Sequence, residues 1–208
     1  MLKDLKKSDF KKHKLLGKGK SGYSWLAFYG SQPVVLKEMH NETVDYYHFS
    51  RPKIQLEEDS YRILRTLDIR IPRMLYCCHN ERFLVKEYIA GATATETIIK
   101  GAISQSVWQY MLSLEQKMRM AGINIDYFPD NFVIDEKNVF YIDYELNPYS
   151  SEWDFSNWGI YFWLNEVGMR QFKKTLDASY ISDPKNNGKP LITPALSKQR
   201  DNLLKEFR

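Results

Sequence analysis

The spacing of apolar residues along the chain changes near residue 88. Before that point, short apolar runs of about four to eight residues are separated by turn residues, which is typical of β-strands. After it, apolar residues recur at steps of three and four, which is typical of helices. The pattern predicts an α+β protein with a β-rich part over residues 1–88 and a mostly helical part over residues 89–208.

Five strands and one helix are predicted in the first part. Two strands flank the glycine-rich stretch at residues 17–22, the third is PVVLKE, and the last two flank a turn at His79-Asn80. The helix covers residues 53–67. Its inward face is predicted to carry Ile54, Glu57, Tyr61 and Leu64.

Two helices open the second part. Thr93 is the predicted N-cap of a short helix through Lys100, and Ser104 is the predicted N-cap of a longer one that Gly122 ends. The apolar stripe of the longer helix is predicted to contain Val107, Met111, Leu114, Met118 and Ala121.

A hairpin and further helices follow. The runs FVID and VFYID predict two strands joined by a turn at residues 136–138. A buried aromatic helix is predicted over residues 155–164 and continues to about Leu176. Thr193 is the predicted N-cap of a closing helix with Pro194 at its first position.

Composition narrows the class of protein. The 208 residues, 43% of them hydrophobic, are enough for a sizeable core. No apolar run is long enough to span a bilayer, and no signal-peptide pattern follows the lysine-rich N-terminus. Cys77 and Cys78 are adjacent, which suits neither a disulfide framework nor the usual spacing of a zinc site. We therefore expect a globular, cytoplasmic protein with no membrane partner and with reduced cysteines.

Charge is distributed unevenly behind the formal net charge of +4. Residues 1–20 contain eight lysines, which suit either a nucleic-acid contact or, more commonly, a solvated basic face. Residues 124–154 contain eight acids and one lysine, the composition of a divalent-cation site. Nucleic acid is the less favoured partner, because binding it would leave the acidic stretch without a role.

Phosphate-binding residues are indicated in the β-rich part. Gly17, Gly19 and Gly22 form a G-x-G-x-x-G pattern between two strands, where the backbone N–H groups can approach phosphates closely. Lys37 is the single lysine of the VVLK strand, and a buried lysine needs a carboxylate partner. Glu57 is the predicted partner, because it shares the inward helix face.

A second set of polar residues lies in GINIDYFPDNFVIDEKNVFYIDYE, residues 122–145. Asp126 and Asn131 are five residues apart, and Asp143 follows the predicted hairpin. The hairpin would bring Asn131 and Asp143 to one site, where they could bind a metal ion together with a phosphate group. Asp126 would then face the hydroxyl group that accepts the phosphate. Each of these residues is also a common turn-former, so the signal lies in the combination.

Taken in order, these motifs resemble the protein-kinase-like superfamily from Gly17 to about Asp154. The YIDYE and WDFSNW stretches are similar to choline/ethanolamine kinases and aminoglycoside phosphotransferases, and the overall brevity is similar to RIO-type and other small atypical kinases. The resemblance implies a bilobal fold, with the N-lobe at residues 1–88 and the C-lobe at residues 89–208.

The resemblance also implies the cofactors and the roles of residues. ATP and Mg²⁺ are expected between the lobes, with Asn131 and Asp143 as metal ligands and Asp126 as the catalytic base. The three glycines and the Lys37–Glu57 pair would hold the phosphates. Adenine would bind the backbone of a hinge at Glu87 and Ile89.

Departures from the family pattern bear on the substrate. Asn124 and Ile125 replace the usual histidine that braces the catalytic loop, and Asp143-Tyr144-Glu145 replaces D-F-G. Only ten residues separate Asp143 from Asp154, which leaves no room for an activation segment. We predict an ATP-dependent Ser/Thr protein kinase of the atypical kind. A small-molecule kinase and an ATP-binding pseudokinase or scaffold are the alternatives.

Overall fold

All five strands of the largest sheet come before residue 88 in this mixed α+β protein, which is 42% helix and 26% strand. The structure is a computed structural model and describes residues 5–42, 51–136, 138–186 and 188–207. The chain folds as two compact units, Met1–Ile89 and Ala90–Arg208. No helix among the described residues is long and apolar enough to cross a membrane.

The first unit is a five-stranded antiparallel sheet with one long helix. Its strands are β1 (Lys11–Lys18), β2 (Gly22–Tyr29), β3 (Gln32–Met39), β4 (Met74–Cys78) and β5 (Phe83–Glu87), in the order β1-β2-β3-β5-β4. The helix is α1 (Lys53–Thr66). The five strands and the helix predicted for this part of the chain are confirmed.

Side chains alternate between the two faces of this sheet. One face carries an apolar cluster that includes Phe10, Leu36 and Phe83. The other face packs Met39 and Leu84 against Ile54 of α1. The buried residues of the helix are Ile54, Glu57 and Leu64. Tyr61 is half-buried, so the predicted inward face of α1 is confirmed at three of its four positions.

The second unit contains short strands and five helices among its described residues. Its elements are β6 (Ala92–Thr93), α2 (Ala94–Ile99), α3 (Gln105–Met120), β7 (Ile123–Asn124), β8 (Phe132–Asp135), β9 (Asn138–Tyr141), β10 (Asn147–Pro148), α4 (Ile160–Leu164), α5 (Glu166–Thr175) and α6 (Pro194–Phe207). The strands form two antiparallel sheets, β6-β8-β9 and β10-β7. The predicted β8–β9 hairpin is confirmed, although Lys137 of its turn lies outside the described residues.

Two of the three predicted helix caps are confirmed. The Thr93 hydroxyl accepts a bond from the Glu96 N–H at 3.2 Å, and the Glu96 carboxylate accepts one from the Thr93 N–H at 2.9 Å. Thr193 likewise accepts a bond from the N–H of Leu196. Helix α3 begins after Ser104 as predicted, but the Ser104 hydroxyl bonds Ser106 and caps nothing.

The predicted aromatic helix is not continuous. Residues 155–159 form a single π-helical turn, α4 follows, and the chain breaks at Asn165, whose side chain caps α5. Packing requires a glycine at position 159, because a Cβ there would lie 2.5 Å from the Cβ of Tyr127. The end near Leu176 is confirmed, whereas Ala121 is exposed and lies outside the apolar stripe of α3.

Candidate functional site

Lys37 lies in the middle of β3 and is 6% exposed. Its ammonium group forms an ion pair with the carboxylate of Glu57, which is also 6% exposed. Glu58, the alternative partner on the same helix, instead pairs with Arg62 at the surface. The predicted Lys37–Glu57 pair is therefore confirmed, and it places a cation under the face of the sheet that packs against α1.

The glycine-rich turn is tied to α1 by side chains. The Ser21 hydroxyl donates to the Glu57 carboxylate at 3.0 Å. The Lys53 ammonium donates to the carbonyls of Lys20 and His40 at 2.9 and 3.0 Å. One helix thus holds both the partner of Lys37 and the turn that precedes β2.

The three glycines of this turn have different surroundings. Gly17 lies within β1, and a Cβ added at Gly17 or Gly19 would meet no atom within 4 Å. At Gly22, the first residue of β2, a Cβ would lie 2.4 Å from the carbonyl oxygen of Glu38. Packing on β3 therefore requires a glycine at position 22 whether or not a ligand binds.

The segment predicted to bind adenine is partly occupied by protein contacts. Glu87 ends β5, and its N–H donates to the carbonyl of Arg73 at 2.9 Å. The Glu87 carboxylate accepts bonds from the backbone N–H and guanidinium of Arg73. Ile89 is half-buried at the end of the first unit. The backbone carbonyl of Glu87 is therefore the polar group of this residue that remains suited to binding adenine.

Asp126 lies on the loop between β7 and β8 of the second unit. Its carboxylate accepts a bond from the Phe128 N–H at 2.9 Å, and its carbonyl accepts one from the Asn131 amide at 3.4 Å. The next residue, Tyr127, is buried, and its carbonyl accepts a bond from the Trp163 indole at 2.9 Å. The aromatic core of this unit therefore fixes the loop on which Asp126 lies.

The β8–β9 hairpin sets Asn131 and Asp143 at its two open ends. Asn131 immediately precedes β8, and its carbonyl accepts a bond from the Ile142 N–H at 2.9 Å. Asp143 is the next residue, and its carboxylate accepts a bond from the Tyr144 N–H. The structure thus places Asp126, Asn131 and Asp143 in one part of the second unit, and Lys37 with Glu57 in the first.

Electrostatics distinguish Asp126 from an ordinary turn residue. Desolvation raises its pKa to about 6, the Phe128 N–H opposes this shift, and the negative charges of Glu145 and Asp143 add to it. The pKa of Tyr141 is raised well above its usual range by burial and by the same three carboxylates. Three acidic side chains therefore lie close enough to repel one another.

Asn131 and Asp143 carry oxygen atoms of the kind that a hard divalent cation binds. Magnesium prefers carboxylate, amide and water oxygens, and it relieves the repulsion among clustered carboxylates. The Asn131 nitrogen donates to the Asp126 carbonyl, which leaves the amide oxygen of Asn131 for a cation. Asp143 and Asn131 are the residues that would hold Mg²⁺.

The loop that carries Asp126 has a brace that the sequence did not indicate. Asn124, only 3% exposed, donates its amide to the Ser150 carbonyl at 3.0 Å and accepts a bond from the Ser150 N–H at 3.3 Å. The strands β7 and β10 pair at the same place. Asn124, one of the two residues that replace the family's usual histidine, therefore joins the loop to residue 150.

Asp154 acts as a helix cap. Its carboxylate accepts bonds from the Asn157 N–H at 2.8 Å and from the Tyr149 hydroxyl at 3.2 Å. Asp154 is therefore the N-cap of the π-helical turn at residues 155–159.

Sequence reasoning missed several polar residues. Lys86 is 4% exposed on β5, on the same face of the sheet as Lys37, because it pairs with Val35 across the strands. Glu145 was noted only as a departure from D-F-G. The alternation of side chains along β3 and β5 could have revealed Lys86, whereas the surroundings of Glu145 depend on tertiary structure.

Comparison of the chain with protein-family profiles and with curated proteins gives no match.

Proposed function

We propose that this chain is an ATP-dependent phosphotransferase that carries the γ-phosphate of ATP to a hydroxyl group. The two units are then the N-lobe and C-lobe of a protein-kinase-like fold. In the first unit, Lys37 contacts the α- and β-phosphates, and Glu57 holds its ammonium in place. Gly17 and Gly19, where added side-chain atoms would meet open space, let the backbone approach the phosphates.

The second unit supplies the residues that act on the γ-phosphate and on the acceptor hydroxyl. Asn131 and Asp143 would hold Mg²⁺, which would supply positive charge to neutralise the transferring phosphate. Asp126 orients the acceptor hydroxyl and accepts its proton. A base with a pKa of about 6 is mostly ionised at neutral pH and still has appreciable affinity for a proton.

The observation that carries this proposal is the combination of Asp126, Asn131 and Asp143 on one braced loop and hairpin. Turn-forming Asp and Asn residues are ordinarily exposed, and their carboxylates ordinarily have low pKa values. Here the Asp126 carboxyl is half-buried, has a raised pKa, and faces two further acids. A fold gains no stability from this arrangement, so we attribute it to function.

The proposed acceptor is a Ser or Thr hydroxyl of a protein. The short segment between Asp143 and Asp154 is pinned by the β7–β10 pair and by Asn124, so it is not a swinging activation loop. A small cationic alcohol is the second candidate, because Glu145 lies close enough to Asp126 to hold an amine beside it. Glu152, another acid of this segment, is paired with Lys189 at 2.6 Å.

The test is transfer of labelled γ-phosphate from Mg·ATP to the chain itself, to a mixture of unphosphorylated proteins, and to amino alcohols. Asp126→Asn should lower transfer by about a hundredfold or more while ATP affinity is kept. Asp130→Asn is the matched control, because Asp130 lies on the same loop but bonds Lys173, and it should retain transfer.

The acceptor that receives the labelled phosphate distinguishes the three candidate functions. Label on protein Ser or Thr supports a protein kinase, and label on amino alcohols only supports the small-molecule kinase. ATP binding without transfer to any acceptor would contradict the enzyme and leave an ATP-binding pseudokinase.

A further inference from the structure

Three side chains of different chemistry converge in the first unit, and none of them has a role in the function proposed above. They are Glu58 of α1, Cys77 of β4 and His79 of the turn after β4. A carboxylate oxygen, the thiol sulfur and an imidazole nitrogen all lie within 4.8 Å of one another. Glu58 and Cys77 are half-buried, and His79 is exposed.

The fold brings these residues together for a simple reason. Cys77 packs with the cluster of Met39, Ile54 and Leu84, on the face of the sheet covered by α1. Cys78 packs against the apolar cluster of the opposite face. His79 is the first residue of the turn after β4, and its Nε2 lies 2.9 Å from a carboxylate oxygen of Glu58 on α1.

The Glu58 carboxylate is already oriented for a ligand. One oxygen accepts a bond from Arg62 at 2.7 Å, and the other lies 2.9 Å from Nε2 of His79. Bonds of this kind from a neighbouring residue commonly fix the direction of a metal-binding carboxylate. Binding of an ion at the second oxygen would leave the Arg62 bond intact.

We propose that Glu58, Cys77 and His79 form a zinc site, with water as the fourth ligand. Thiolate and imidazole favour zinc over magnesium or calcium, whose ligands are oxygen atoms. Ligand atoms around a tetrahedral zinc ion are roughly 3.3 to 3.8 Å apart, so the three groups need small side-chain rotations to close on it. The exposure of His79 leaves access for the ion and for the water ligand.

Zinc binding would release a proton from the Cys77 thiol. Burial raises the pKa of the Cys77 thiol to about 12, and the Glu58 charge adds to this effect, so the metal-free thiol is protonated at neutral pH. Zinc takes the thiolate, and the thiol proton is released to solvent. The imidazole would bind through Nε2, the nitrogen that lies 2.9 Å from the Glu58 carboxylate.

The zinc site would join the middle of α1 to the β4–β5 turn. It does not depend on the proposed phosphotransfer, and it can be tested without nucleotide. Because zinc binds only the folded arrangement, it should raise the unfolding temperature of the whole chain.

Cobalt(II) is the probe, added to the full chain carrying no histidine tag. A cobalt–thiolate bond gives a near-ultraviolet charge-transfer band, which should saturate at one equivalent and disappear when zinc is added. The band should be lost in Cys77→Ser and kept in Cys78→Ser, whose sulfur lies on the other face. His79→Ala changes an exposed side chain and should also lose the band or saturate only at far higher cobalt.

Two results would overturn the proposal. One is no charge-transfer band in the unchanged protein at excess cobalt. The other is equal loss of the band in Cys77→Ser and Cys78→Ser while both variants melt cooperatively. A rise in melting temperature with zinc in the unchanged protein and in Cys78→Ser, but not in His79→Ala, would support the site independently of the spectrum.

Discussion

At the scale of single residues, Lys37 and Glu57 show what a buried ion pair implies. Each is almost fully removed from water, and removing one partner would leave an uncompensated charge. One oxygen of Glu57 is buried with no hydrogen-bond donor among the described residues. Such a pair adds little to stability, so its presence on β3 is better explained by a ligand than by the fold.

Lys37→Met should destabilise the protein by about 3 to 5 kcal/mol, because it leaves the Glu57 carboxylate buried and unpaired. Lys37→Met combined with Glu57→Leu should recover most of that loss. Urea denaturation measures both values, and Arg51→Ala, which breaks the exposed Arg51–Asp59 pair, should cost less than about 1 kcal/mol. A double variant no more stable than the single one would contradict the argument.

Asp126 is a second residue whose environment opposes stability. Its folded pKa of about 6 lies above the ordinary value of 3.8, so the folded state binds the proton more tightly than the unfolded state. The favourable contribution of this group is complete below about pH 4 and is lost as pH rises through about 6.

Asp126→Asn should therefore stabilise the protein at pH 7, by about 1 to 3 kcal/mol from the two-unit shift. The gain should shrink towards zero at pH 4, where the carboxyl of the unchanged protein is protonated. Urea denaturation at both pH values measures it. A variant that is less stable at pH 7 would show that Asp126 is an ordinary structural aspartate.

At the scale of elements, α1 controls the glycine-rich turn through Lys53 and Ser21. The Lys53 ammonium replaces its water shell with backbone carbonyls, and burial lowers its pKa. The Gly19 N–H, bonded to the Gly22 carbonyl at 2.9 Å, reports whether this turn stays closed.

Lys53→Met should increase the frequency with which the glycine-rich turn opens, because it removes the hydrogen bonds to the Lys20 and His40 carbonyls. A loss of roughly 1.4 kcal/mol corresponds to about tenfold faster amide exchange at residues 18–22. Hydrogen exchange read by mass spectrometry measures this, with Lys11→Met on exposed β1 as the control. Equal exchange in the two variants would contradict a role for Lys53.

Elements with a strong local signal could be predicted from the sequence. The strands of the first unit follow from β-branched runs and turns, and the caps at Thr93 and Thr193 follow from hydroxyl geometry. The close approach of Gly159, in the π-turn before α4, to Tyr127 could not be predicted, because the two residues are far apart in sequence. Tertiary packing also decided the brace at Asn124.

At the scale of the whole molecule, some features of the candidate site could likewise be predicted from the sequence and others could not. The Lys37–Glu57 pair could be predicted, because periodicity orients both side chains. The pKa of Asp126 and the convergence of Glu58 with Cys77 could not, because neither burial nor contact between distant elements is encoded in local spacing. Adjacent cysteines gave no zinc pattern, since the other residues of the proposed zinc site come from α1 and the turn after β4.

Thermal unfolding with and without Mg·ATP tests the central claim most directly. At a hundred times its Kd, a ligand of the folded state adds about 2.7 kcal/mol of stability, which should raise the melting temperature by several degrees. The shift should fall sharply in Lys37→Met, in Asp143→Asn and when EDTA removes Mg²⁺, each compared with the same variant without nucleotide. The account is contradicted if Mg·ATP produces no shift in the unchanged protein, or an equal shift in both variants.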